Sequence, residues 1–424
     1  MLKRQRPGAS ENDWHKLDNA GKMYPFIRSD WQTTLFRLTA VMKTNVDPVK
    51  LKGAVMKAFS QFPQFNVVLK PGLFWYYFQK TKNEPDVQLD EHYPCTQYER
   101  RLSVSPIHVY FKEKEIAIEF SHALTDGYGA SAFLRAVLIA YLQDSSLNDN
   151  LGKTQIVCCS EANREDSYLE NYDPSVPGLK RSGRAFHLPY KAVPPGIYFS
   201  TTGTVPLDKL LNKAKADGVT ITVWLTAFYI SVMAEMIQDF NWKAHPVVIN
   251  VPVNLRPLYN SDTLRNFFVT IMPQIDCRLG HFSFEEILTH VKNYMSLEVD
   301  KRYINQQFKR NIDIESNFAV RLIPLPLKRL IFPSLYYHFG ERQYSGGFSN
   351  LGAFRLPEEI NSEVKEVHIL VPPSSGNLIK VGCISYNNNF SITFGSLAHE
   401  KELERRFFSG LRKQGLPVRL SVNY

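Results

Sequence analysis

An α/β chain built as two lobes, each a mixed β-sheet flanked by helices, is predicted by three observations. Stretches of period two alternate along the chain with stretches of helical period. A breaker-rich segment, residues 166–196, separates two such regions; it holds Asp173-Pro-Ser-Val-Pro-Gly178 and Val193-Pro-Pro-Gly196 and shows no period. The length, 424 residues with 44% hydrophobic, is enough for two substantial cores. The division is therefore 1–165 as the N-terminal lobe, 166–196 as a linker and 197–424 as the C-terminal lobe.

In chain order, residues 31–42 alternate as a strand. Asp47-Pro48 opens a helix through Phe59, with Pro48 in its first turn and Val49, Leu51, Ala54, Val55 and Ala58 as its core face. Residues 73–79 are a strongly aromatic strand after Pro71-Gly72. Residues 107–111 and 116–120 flank the charged turn Lys112-Glu-Lys114 as a hairpin. In the second region, residues 206–216 read as a helix closed by Asp217-Gly218. Thr220 or Thr222 caps an apolar helix running to about Gln238, too short and too polar for a membrane span. Residues 246–253 form an unbroken apolar strand suited to a sheet interior. A strand over 267–275 and one long amphipathic helix over 284–310 follow. Residues 318–339 are apolar but interrupted by Pro324, Pro326 and Pro333. They read as a bent helix packed on the lobe, as an acyl-tunnel lining, or as a membrane-surface contact. Strands over 364–371, 378–386 and 389–393 and a helix over 399–413 complete the chain.

Composition narrows the function. The net charge is +9, but Lys and Arg are dispersed apart from Lys3-Arg4-Gln5-Arg6, and no zinc-finger spacing occurs, so a nucleic-acid partner is not expected. The five cysteines (Cys95, Cys158, Cys159, Cys277 and Cys383) are odd in number and lack metal-ligand spacing. With no apolar leader before Trp14, they indicate a reduced, cytoplasmic protein with no metal and no permanently bound cofactor. No phosphate-binding glycine loop follows a strand and no Gly-x-Ser-x-Gly elbow is present, which disfavours nucleotide hydrolysis, hydride transfer and serine hydrolysis.

The most informative stretch is residues 115–142, EIAIEFSHALTDGYGASAFLRAVLIAYL. Ile116, Ile118 and Phe120 alternate as a strand, and after Gly127 and Gly129 the helical set Phe133, Leu134, Val137, Leu138 and Tyr141 begins. His122, Asp126 and Gly127 therefore sit at a strand-to-helix handover, where scaffolds place chemistry. As residues alone, His122 reads as a core histidine or as a base, and Asp126 as a base-orienting carboxylate or a structural anchor. Gly127 would admit a backbone turn that a side chain obstructs.

His122-Ala-Leu-Thr-Asp126-Gly127 resembles the HxxxDG signature of the CoA-dependent acyltransferase superfamily. That group includes chloramphenicol acetyltransferase, peptide-synthetase condensation domains, plant acyltransferases and alcohol acetyltransferases. Val251-Pro-Val-Asn-Leu-Arg-Pro257, Phe348-Ser-Asn-Leu-Gly352 and the opening Trp14-His-Lys-Leu-Asp-Asn-Ala-Gly-Lys-Met-Tyr-Pro25 resemble further stretches of it. The likeness covers most of the chain and is nearest to bacterial alcohol acetyltransferases. Ser121 stands where several relatives have the first of two adjacent histidines, a histidine that plant members also lack.

The resemblance implies two similarly built, chloramphenicol acetyltransferase-like lobes, with acyl-CoA and a small alcohol or amine meeting in a channel between them. It implies His122 as general base with no acyl-enzyme, and an Asp126–Arg256 salt bridge. It places Ser349 and Asn350 near the substrates, as donors to a developing oxyanion; a flexible glycine loop is the other reading of that stretch. Acyl-CoA would be a co-substrate. A carrier-protein thioester as donor, and a non-catalytic binding module of the same fold, are the alternatives.

Overall fold

The computed structural model describes residues 14–96, 104–143, 166–177, 183–243 and 245–423. Cys158 and Cys159 and part of the predicted linker lie outside them. Three sheets carry the fold. A five-stranded sheet runs Val364–Leu370, Leu35–Met42, Glu115–Ser121, Ile107–Lys112, Val87–Leu89. An eight-stranded sheet has Phe268–Ile271, Pro246–Asn254, Gly346–Phe354, Ile379–Tyr386, Asn389–Ser396, Phe199–Pro206 and Arg419–Asn423 in that order, with Gln274–Asp276 also on Pro246–Asn254. A three-stranded sheet joins Trp14–Lys16, Tyr76–Lys80 and Val67–Pro71. Two large cores result, one beneath each of the larger sheets.

Helix Pro48–Gln61 starts because the Asp47 carboxylate accepts from the Val49 and Lys50 amides, leaving Pro48, which has no amide to satisfy, in the first turn. It buries Leu51, Ala54, Val55 and Ala58. Val49, expected on that face, is 80% exposed, because two positions before Leu51 put it on the far side of the helix. Helix Ile221–Asp239 is capped by the Thr220 hydroxyl. By length and hydropathy it could cross a membrane, yet most of it is buried as the central helix of the larger core.

Two expectations are corrected, and two strands lie where none is predicted. The helix predicted over 284–310 is two, Phe284–Glu298 and Lys301–Ser316, because Asp300 caps the second by accepting from the Arg302 amide. The strand predicted over 267–275 is two short ones, separated at Met272-Pro273, where proline cannot donate to a ladder. Gly346–Phe354 is a strand, paired in parallel with Ile379–Tyr386, rather than a glycine loop. Arg419–Asn423 adds a terminal edge strand that polar spacing did not announce.

Val364–Leu370 lies in the C-terminal half of the sequence, but its hydrogen bonds go to Leu35–Met42, with Ile369 opposite Leu38 and Val367 opposite Ala40. The five-stranded sheet is thus closed at one edge by a strand from the other half of the chain.

Candidate active site

Strand Glu115–Ser121 ends in a turn closed from within. The Ser121 carbonyl accepts from the Leu124 amide at 2.9 Å and its hydroxyl accepts from the Ala123 amide at 3.2 Å. Ser121, the departure from the two-histidine pattern, therefore has a structural task. Across the turn, the His122 amide donates to the Thr34 carbonyl at 3.1 Å. Thr34 is β-branched yet sits at φ 64°, a conformation of a kind that persists only where its surroundings enforce it.

The His122 ring is held between aromatic faces. Tyr24 stacks on it at 5.0 Å between centroids, Phe36 lies at 4.5 Å and Phe268 at 6.3 Å. Nδ1 is buried without a hydrogen-bond partner. The side chain is half-buried, and the surface it keeps lies along a cavity of about 550 Å³. Both halves of the chain line this cavity: Thr34 and His122 from one, Asn250, Ser349 and Lys380 from the other. Burial lowers the His122 pKa from 6.5 to about 4; the Asp126 charge opposes the shift and the Lys380 ammonium adds to it. The imidazole is therefore neutral at pH 7.

Asp126 points away from the imidazole, which decides between its two sequence readings. Its carboxylate caps helix Gly127–Leu142 by accepting from the Tyr128 and Gly129 amides at 3.1 and 3.3 Å. It also accepts from the Phe267 amide at 3.0 Å and from Arg256 in two-pronged fashion, Nη1 at 2.9 Å and Nη2 at 3.1 Å. Arg256 is 5% exposed. Its remaining donors go to the Thr263 carbonyl (2.7 Å), the Arg265 carbonyl (2.6 Å) and Asn254 Oδ1 (3.0 Å), and its guanidinium lies 4.3 Å from the Tyr128 ring centre. Such a pair, fully furnished with hydrogen bonds, ties the two strand ends together.

Gly127 does not adopt a left-handed conformation. A Cβ there would come within 2.5 Å of Leu351 Cδ1, so the glycine makes room for the stretch Phe348-Ser-Asn-Leu-Gly352 to pack on the helix start. Gly129 is tighter still, since its Cβ would meet Thr125 Oγ1 at 2.2 Å and the Leu264 carbonyl at 2.4 Å. Ser349 and Asn350 both line the cavity. Asn350 is already committed: its Nδ2 donates to Thr222 Oγ1 at 2.9 Å and its Oδ1 accepts from the Gly352 amide at 3.0 Å, holding the irregularity in strand Gly346–Phe354. The Ser349 hydroxyl has no such bond and is the more available donor.

Three further residues complete the site. Asp18, 2% exposed, accepts from the Gly21 amide at 2.6 Å and from Asn266 Nδ2 at 3.0 Å, and that amide also donates to the His122 carbonyl at 2.9 Å. Burial, then the neighbouring Asp166 charge, pushes the Asp18 pKa up. Asp18 and Tyr24 belong to the opening stretch whose resemblance had been noted, so a signal existed for both. Lys380 had none. It projects beside Gly347, donates no hydrogen bond, and has Glu341 as its nearest carboxylate at 4.0 Å. The Glu341 oxygens already accept from the Ser374 hydroxyl and the Gly376 amide. Burial pushes the Lys380 pKa down.

No family model of protein sequences matches the chain, nor does any curated protein sequence. Solved structures do match. Fusarium graminearum TRI101, complexed with coenzyme A and T-2 mycotoxin, superposes with a TM-score of 0.62 over 96% of this chain and 99% of that one, at 9% identity. The fold is that of the CoA-dependent acyltransferases. The condensation domain of the monacolin K polyketide synthase MokA shares this acyltransferase fold with a TM-score of 0.58 at 12% identity, over 94% of this chain and 95% of that one. So does the wax ester synthase/diacylglycerol acyltransferase of Marinobacter aquaeolei VT8, with a TM-score of 0.55 at 11% identity, over 95% of this chain and all of the other. Across the acyltransferase fold, identities this low equate architecture, and the chemistry of this chain rests on its own residues.

Proposed function

We propose that the chain transfers an acyl group from acyl-CoA to the hydroxyl, or amine, of a small acceptor, with His122 as general base. The observation that carries this reading is a neutral imidazole, its Nδ1 without a hydrogen-bond partner, along a cavity lined from both halves of the chain. A free alcohol is a poor nucleophile until its proton is removed during attack. His122 takes that proton as the acceptor oxygen bonds to the thioester carbonyl carbon. The Ser349 hydroxyl donates to the resulting oxyanion. The tetrahedral intermediate then collapses, the carbon–sulfur bond breaks, and the departing CoA thiolate takes the proton back from His122. A low imidazole pKa favours that last handover. Asp126 and Arg256 hold the two strand ends in register and touch neither reactant.

The test is release of free thiol from acyl-CoA in the presence of a panel of alcohols and amines, with an acyl-carrier thioester as a second donor. Turnover with the carrier thioester alone would replace CoA in the reading. Ligand binding without turnover on any donor would make the chain a binding module.

The pH profile supplies a separate check. With a base of pKa about 4, kcat/KM stays level from pH 8 to pH 6, whereas an unshifted histidine would halve it near 6.5. Lys380→Met removes a repelling charge, so the acidic limb moves to higher pH. A limb that stays in place, or one near 6.5 in the unsubstituted protein, contradicts this assignment of the base.

A further inference from the structure

The helices Phe318–Leu322 and Leu325–Phe339 display a run of exposed apolar side chains. Phe318 is 75% exposed, Leu330 76% and Leu322 and Leu327 each 52%, with Ile331 and Leu335 beside them. In the longer helix, Leu327, Leu330, Ile331 and Leu335 recur at the spacing of one face. Scattered exposed leucines are ordinary; a face of them is a contact surface.

The helix is not loosely attached. Its opposite face is fixed: Lys328, fully buried, donates to the Phe74 carbonyl at 3.0 Å and lies 3.7 Å from the Trp75 ring centre. The Leu325 amide donates to the Leu73 carbonyl at 2.9 Å, and Phe332 packs on Phe26 at 4.9 Å. The apolar face is thus held outward by the body of the protein.

Charge selects the partner. Residues 318–339 contain Arg321, Lys328, Arg329 and His338 and no acidic residue, on a chain of net charge +9. Arg321 is exposed beside Phe318 and Leu322, and Arg329, also exposed, turns from the apolar face to donate from Nε to the Tyr76 hydroxyl at 2.7 Å. Two copies of the chain meeting on this face would bring those cations together. An apolar stripe on a segment that carries cations and no acidic residue instead matches the boundary between headgroups and acyl chains of an anionic bilayer.

We propose that this face docks on an anionic lipid surface, with the apolar side chains in the acyl boundary and the basic side chains of the segment drawing it to the headgroups. Tyr336, on the same helix, lines the reactive cavity, so a docked protein would hold that cavity against the lipid. The docking itself stands whatever the chemistry of the site.

The experiment is co-flotation of the full chain with vesicles of phosphatidylcholine alone and of phosphatidylcholine with phosphatidylglycerol. Binding is expected on the anionic vesicles and to weaken about tenfold or more in a Leu330→Glu, Ile331→Glu double variant, and also in an Arg321→Gln, Arg329→Gln variant. Unchanged melting temperatures would show that both variants fold. The proposal is overturned if the unsubstituted chain ignores both vesicles, binds both equally, or forms a dimer in solution that the glutamates abolish.

Discussion

His122→Ala should lower kcat/KM by about 10²–10⁴, the range a positioned proton acceptor supplies, while thiol release in the absence of acceptor does not change. The geometry makes this a clean substitution. The ring's Nδ1 has no hydrogen-bond partner to orphan, and its burial without one is itself unfavourable. Stability should therefore fall only by the lost contact with Tyr24 and Phe36. There is also a signature in acid. Because burial depresses the pKa from 6.5 to about 4, the unfolded chain binds more protons than the folded one between those values, and stability declines as pH drops through that window. The alanine variant should lose that component of the slope. Turnover that survives in a properly folded variant would remove His122 from the chemistry.

Asp126→Ala acts in the opposite way, on the fold before the reaction. It deletes the acceptor of five hydrogen bonds and leaves a buried guanidinium without its countercharge. Removing one partner of a buried ion pair costs about 3–5 kcal/mol, and the lost helix cap adds about 1 kcal/mol. The denaturation midpoint should fall accordingly, and Arg256→Ala should fall nearly as far. The double variant should be less unstable than the sum of the two, because each single change strands the other's charge. Additive losses in that cycle would show that the pair is not energetically coupled.

How far the sequence led depended on whether a feature was local. Helix Gly127–Leu142 was legible because its apolar side chains recur on one face, and Pro48–Gln61 because Asp47-Pro48 is a start signal in three bonds. The place of Arg256 beside Asp126 came from resemblance, since no spacing rule links positions 130 residues apart. Strand Gly346–Phe354 was hidden by its own glycines, which serve neighbours in other strands: Gly347 lies beside the Lys380 stem and Gly346 under Tyr229. The break between the helices at Val299-Asp300 was obscured because the charged pattern continues through it. Lys380 looked like any lysine in a strand until its neighbours were known, and Asp18 like any surface aspartate.

The borrowed edge strand has a topological consequence. With Val364–Leu370 stitched to Leu35–Met42, the two halves are interlocked rather than hinged. A polypeptide severed near its middle would leave the leading fragment with a naked sheet margin, a template for promiscuous pairing, and the trailing fragment with a stranded ribbon. Such fragments should pair when produced together and clump when produced apart, an outcome that co-expression and sedimentation would check.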